Sequence, residues 1–198
     1  MKIPYKKIGL GLGFAAVIFI LLNAQYFWAQ LQYYAGVDKA PVAVEPSEVA
    51  PQGEPNRLSI PSLAIEAPIV YIVENKESVF QEALRGGVVH YPGTAKVGEY
   101  GNCYIFGHSS DYIWSAGAYK TIFATLPHIQ VGALIVASNS QGQVFTYKVF
   151  DTRVVASDDT SVLDQGNRER QLLTLQTSYP VGTALRRFVA VAELVPSQ

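Results

Sequence analysis

Leu172-Leu-Thr-Leu-Gln-Thr-Ser-Tyr-Pro-Val-Gly-Thr-Ala-Leu-Arg-Arg-Phe-Val-Ala-Val-Ala192 holds two runs rich in apolar and β-branched residues, with Pro180 and Gly182 as turn formers between them. The composition predicts two strands joined by a loop. Ser178 falls where the first strand runs out, and Arg186 and Arg187 stand where the second begins. Strand ends are where a rigid scaffold presents reactive groups.

Working outward, the 198 residues are 49% hydrophobic, enough for one domain with a real core plus appendages. The net charge of −1 comes with no basic stripe, which argues against nucleic acid as a partner. The single cysteine, Cys103, excludes an internal disulfide and a cysteine-rich zinc site. No His-Glu-x-x-His or comparable ligand cluster occurs, so no metal or cofactor is expected. Glu99 alone is far short of the oxygens calcium takes.

Lys2, Lys6 and Lys7 precede an uncharged, mostly apolar run from Ile8 to Ala29. At 1.5 Å per residue it would make roughly 33 Å of helix, enough to cross a bilayer. The lysines come before the run, and no positive charge follows until Lys39, which sets residues 1–7 in the cytoplasm and the remainder outside. Tyr26, Phe27, Trp28, Tyr33 and Tyr34 cluster at its far end, as an interfacial aromatic belt would. A cleaved signal peptide is the competing reading, but no small-x-small site follows cleanly. Gly9, Gly11 and Gly13 lie inside the apolar run with no strand before them and make no dinucleotide fingerprint.

Residues 30–56 change character: Pro41, Pro46, Pro51 and Pro55 are interleaved with Glu45, Glu48 and Glu54, as in an extracytoplasmic spacer. The folded domain is expected over residues 57–198. Strand composition marks the stretch from Arg57 into the Ile-Val-Tyr-Ile-Val run ending at Val73, then Gly87–Tyr91, Cys103–Phe106, Leu134–Ala137, Val144–Arg153, Leu172–Thr177 and Phe188–Leu194. Short helices are expected at Glu77–Leu84 and Tyr119–Leu126. Many short strands between turn signals favour a closed barrel or a sandwich.

Thr174-Leu-Gln-Thr-Ser-Tyr-Pro, followed by Gly182-Thr and Arg187-Phe-Val-Ala-Val, resembles the sortase signature, Thr-Leu-x-Thr-Cys with an arginine after a short loop. Ile60-Pro-Ser-Leu, Gly87-Val-Val-His-Tyr-Pro-Gly-Thr, Gly101-Asn-Cys-Tyr-Ile-Phe-Gly-His-Ser and Phe123-Ala-Thr-Leu stand in the order sortases show, so the resemblance covers the whole domain. It implies a mainly β fold: an eight-stranded barrel with a few short helices, preceded by a transmembrane helix. It also implies a membrane-anchored transpeptidase that cleaves a Leu-Pro-x-Thr-Gly-like signal on surface proteins. The acyl group then passes to an amine of a cell-wall precursor or a pilin.

Carried over residue by residue, Ser178 occupies the place of the nucleophilic cysteine, His108 that of the proton-transfer group and Arg187 that of the oxyanion stabiliser. His90, Thr177 and Arg186 are the expected substrate contacts, with a packing role equally open for His90. Adjacent strand residues face opposite sides, so one of the two arginines is expected to reach the site, and the resemblance points to Arg187, which directly precedes the apolar strand as the family residue does. A serine hydroxyl does not ionise near neutral pH and needs a positioned base, with Asp111 the nearest acid to orient His108. Cys103 reads as a buried structural thiol, and His128, beside Pro127, as a surface loop residue. Three readings of Ser178 stay open: a Cys-to-Ser form that blocks turnover, a natural serine variant, or a module that binds sorting signals without turnover.

Overall fold

The computed structural model describes residues 5–36, 53–111, 117–166, 168–180 and 182–196. Eight strands close into one barrel: β1 (Arg57–Ile60), β2 (Ile65–Tyr71), β3 (Val88–His90), β4 (Gly101–Phe106), β5 (Leu134–Ser138), β6 (Val144–Ala156), β7 (Gln171–Tyr179) and β8 (Arg186–Leu194). Their order around the barrel is β1-β2-β3-β4-β7-β8-β6-β5. Two contacts, β2 with β3 and β4 with β7, are parallel. A parallel pair needs a crossover. The first is supplied by α3 (Glu77–Ala83), and the second by the long excursion through β5 and β6.

Side chains alternate across a strand, and this alternation fixes what each face carries. Cys103 and Ile105 of β4, Leu173 and Leu175 of β7, and Phe188, Ala190 and Ala192 of β8 fill the barrel interior. The alternate residues Tyr104, Val189 and Val191 point outward and are covered by Val162 of the β6–β7 connection. This second cover explains why β8 reads as a continuous apolar run. Gln165 ties the connection down. Its Oε1 accepts from the backbone N–H groups of Ala95 (3.2 Å) and Asn102 (3.1 Å), and its Nε2 donates to the carbonyls of Asn102 (2.8 Å) and Leu163 (2.9 Å).

The expected helix over Tyr119–Leu126 is instead a run of turns leading to a 3₁₀ turn at Leu126–His128. Hydrogen bonds there span three residues, such as Ala124 N–H to Thr121 O and Leu126 N–H to Phe123 O, while the Phe123 N–H is diverted to His108 O. A tertiary bond thus replaces one the helix would need. β6 runs three residues beyond the expected end at Arg153 because β8 pairs with it as far as Ala156.

The single span expected over residues 8–29 is divided into α1 (Tyr5–Leu22) and α2 (Ala24–Ala35), which meet at Asn23 with a 75° bend. The Asn23 amide donates back to Phe19 O at 2.9 Å, and such local side-chain bonds bend helices. Among the described residues no single helix is long and apolar enough to cross a membrane, whereas the pair Leu12–Leu22 and Ala24–Ala35 meets that test together. The helix therefore runs into the stretch read as spacer. The proline-bearing residues 37–52 of that spacer, and residues 1–4, lie outside the described residues.

Candidate active site

The parallel pairing of β4 with β7 sets Phe106 beside Gln176. The ladder continues one step past the end of β4, because the Gly107 N–H donates to Gln176 O at 3.1 Å. Thr177 Oγ1 adds a bond to Gly107 O at 2.9 Å. These contacts hold Gly107, the residue before His108, against the end of β7 that carries Ser178. Gly107 has to be small: a Cβ there would stand 2.8 Å from Cδ2 of Phe123.

On the other side of β7, Ser178 is the direct antiparallel partner of Arg187. Directly opposed residues share a face. It is the outward face, since Ser178 lies in phase with Thr174 and Gln176 and Arg187 in phase with Val189 and Val191. His108, Ser178 and Arg187 are each half-buried. Arg186, in the opposite phase, pairs with Tyr179 beyond the barrel rim and is exposed.

The His108 imidazole approaches Asp111, with Nε2 and Oδ2 3.9 Å apart. Burial holds its pKa below the ordinary 6.5, opposed by the charges of Asp111 and Glu77. It is therefore neutral at physiological pH, the state in which an imidazole can accept a proton. Arg187 turns its Nη1 onto the carbonyls of Ala184 (2.9 Å) and Arg186 (3.1 Å) in its own loop. Its charge is felt by Tyr104, whose hydroxyl burial pushes up and which donates to Gln176 Oε1 at 2.6 Å.

The other expected contacts have different surroundings. Thr177 is fully buried, in phase with the interior, with its hydroxyl committed to Gly107. His90 is 3% exposed; its Nε2 engages Ala95 O at 2.8 Å and Thr94 Oγ1 at 3.1 Å, and its ring lies 4.7 Å from that of Tyr71. Of the two roles open for His90, these partners are those of packing. Cys103 is fully buried among interior residues, and burial pushes its thiol pKa far up. His128 is not a bare loop residue: its Nε2 lies 2.6 Å from Gln30 Oε1, and the Tyr33 ring stacks on it at 4.6 Å.

The sequence did not mark one further feature of this outward face. Phe80 of α3 sits edge-on to Phe106 at 5.3 Å, and Tyr91 meets Tyr104 at 6.0 Å and Phe106 at 6.3 Å. This aromatic wall borders the outward face of β4 and β7 next to Gln176 and Ser178. Its only sequence signal was the alternation of Tyr104 and Phe106 on an otherwise buried strand. Among the described residues no cluster of His, Cys, Asp or Glu could hold a metal ion.

Comparison with known proteins bears on the family and the fold. A family model described as the sortase domain matches residues 58–195. Sortase D of Bacillus subtilis is 30% identical over 141 residues, a match spanning 70% of this chain and 62% of that relative's length. Among solved structures, sortase C-1 of Actinomyces oris superposes with a TM-score of 0.59 at 26% identity, over 85% of this chain and 83% of that one. A Clostridium perfringens sortase C solved with the C-terminal cell wall sorting motif has a TM-score of 0.59 at 20% identity, over 86% and 85% of the two chains. At that identity the likeness is one of fold.

Proposed function

The chain belongs to the sortase family, and we propose accordingly that it is a membrane-anchored, outward-facing transpeptidase acting on a Leu-Pro-x-Thr-Gly-like signal. Ser178 attacks the carbonyl after the threonine as His108 takes its proton. The Oγ–C bond forms, the Thr–Gly C–N bond breaks, and His108 returns the proton to the departing glycine amine. An amine of a cell-wall precursor or a pilin then attacks the acyl-serine; a C–N bond forms, the C–O bond breaks, and Ser178 recovers its proton through His108.

Arg187 stabilises the oxyanion of both tetrahedral intermediates, where fixed donors have their largest effect. Arg186, at the mouth of the β7–β8 loop, contacts the substrate backbone. Thr177 acts by holding Gly107, and His90 by holding the turn through Ala95. The aromatic wall of Phe80, Tyr91 and Phe106 receives the apolar Leu-Pro portion. The observation that supports the reading is the pairing of Ser178 with Arg187 on one side of β7, together with the Gly107 to Gln176 bond, one residue before His108, on the other.

A second reading, a module that captures sorting signals without turnover, is favoured by the 3.9 Å gap between His108 and Asp111 and by the turning of Arg187 onto its own loop. A serine needs its base well oriented. Mass spectrometry of the wild-type protein and Ser178→Cys, each incubated with a sorting peptide, separates the two. Acyl-enzyme and cleaved peptide with the cysteine form support the enzyme; peptide bound but intact with both folded forms supports the module.

A further inference from the structure

The 12 residues of α2 present two unlike faces. Tyr26, Ala29, Gln30 and Tyr33, spaced three and four apart, are partly covered. Gln30 Nε2 donates to Ala124 O at 2.8 Å, and Tyr33 packs against the barrel core and on His128. Another face carries Phe27, Trp28 and Leu31, of which Trp28 and Leu31 are 61% and 57% exposed, with Tyr34, 69% exposed, at its border and edge-on to His128 at 5.5 Å. Large apolar or aromatic groups gathered on one exposed face need an apolar or interfacial neighbour.

That neighbour is indicated by what precedes the face. It runs on from α1, whose Leu12, Phe14, Val17, Phe19 and Ile20 are likewise exposed. A 75° bend turns a chain that leaves α1 along the bilayer normal almost into the membrane plane. Trp and Tyr favour the headgroup level, and a helix with one apolar face lies there. The bend also touches the candidate site's loop: a Cβ on Gly182 would stand 3.2 Å from Asn23 Oδ1 and 3.5 Å from Phe19 Cε2.

We propose that α2 is an interfacial helix that clasps the barrel through Gln30 and Tyr33 and dips Phe27, Trp28, Leu31 and Tyr34 into the lipid headgroup and upper acyl region, so that the β7–β8 loop beside Ser178 is held at the bilayer surface. This rests on the proposed membrane anchoring of the chain, and divides the bent pair that meets the length and hydropathy test together into α1 within the hydrocarbon and α2 at its surface. The groove then opens at lipid level instead of at the end of a loose tether. Substrates still attached to the membrane are met without the barrel having to find them.

The test is nitroxide depth measurement on the full chain in phosphatidylcholine–phosphatidylglycerol vesicles, with single labels at Ile18→Cys, Trp28→Cys, Leu31→Cys, Leu185→Cys and Ser140→Cys. The buried Cys103 leaves the introduced thiols as the reactive ones. Collisions with oxygen and with a water-soluble relaxant should place Ile18 deep, Trp28 and Leu31 below the phosphates, Leu185 at the headgroups, and Ser140, in the β5–β6 turn at the opposite end of β8, in water. The paired change Gln30→Ala and Tyr33→Ala should release Leu185 into water while leaving Trp28 in lipid.

If Ile18 is deep but Trp28 and Leu185 are aqueous, the docked orientation fails and the anchor stands. An aqueous Ile18 overturns the anchor itself. Spin–spin broadening at Trp28 without lipid collisions would assign the face to a second copy of the chain and overturn the proposal. A Leu185 label that stays at the headgroups in the paired variant would overturn the clasp.

Discussion

Ser178, next to last in β7, and Arg187, second in β8, are direct cross-strand partners, with both side chains in phase with the outward face of the barrel. Register fixes the backbone of Arg187 across from Ser178 and that of Arg186 across from Tyr179, so the two arginines can be tested separately. In the Ser178→Cys background, Arg187→Ala is expected to lower kcat by about 10²–10³-fold, the effect of losing an oxyanion donor. Arg186→Ala should instead raise KM with kcat largely kept. Steady-state cleavage of a sorting peptide by the two variants checks the assignment, and equal losses of kcat would refute it.

Because burial lowers the His108 pKa and Asp111 opposes the shift, the acid limb of kcat/KM is expected below pH 6.5. Asp111→Asn removes a raising charge, so the limb should move further down. Proton NMR titration of the His108 ring gives the same shift independently of turnover. A limb that moves upward in Asp111→Asn would contradict the electrostatics described above.

The same depressed pKa has a consequence for folding. The unfolded chain takes up a proton near pH 6.5, while folded His108, and His90 with its burial-lowered pKa, resist it. In that window the unfolded state binds more protons, so stability falls as pH drops below 6.5 and levels off below the folded values. Urea midpoints across this range should decline, and His90→Gln should flatten the decline if it folds with comparable stability at pH 8.

Cys103 is enclosed in the barrel with its thiol pKa pushed up, so it should react with disulfide reagents only upon unfolding. Ser178→Cys adds a half-buried thiol on the outward face. Thiol titration should then find one fast and one protected group, whereas wild type shows only the protected one. Two fast thiols in the native variant would mean that the barrel interior is open.

Gln165 makes four hydrogen bonds, two to Asn102 of β4, one to Ala95 in the loop before it and one to Leu163 within the β6–β7 connection. Gln165→Leu strands backbone groups of Ala95 and Asn102, at a cost of about 1–3 kcal/mol. The urea midpoint should fall with an unchanged slope, and a neutral effect would show that water satisfies these groups.

Composition and turn signals in the sequence mark most of the strands, and the resemblance supplies the eight-stranded barrel and the order of its segments. Period-two alternation and turn chemistry are local properties, and a strand's register carries its end residues with it. This is why the runs before Pro180 and after Gly182 read as two strands joined by a single loop, and why a strand over Cys103–Phe106 could be read before His108. Tertiary structure alone decided the rest. Asn23 breaks an apolar run that reads as continuous, because a side-chain bond competes with the helix. The run of residues Tyr119–Leu126 gives up its helix because the Phe123 N–H is bonded to a carbonyl from β4's end. Gln165 and His128 look like solvated loop residues until the connection they hold, or the helix they receive, is folded against them. Contacts between elements far apart in the chain leave no periodic trace, so only the closed barrel shows them.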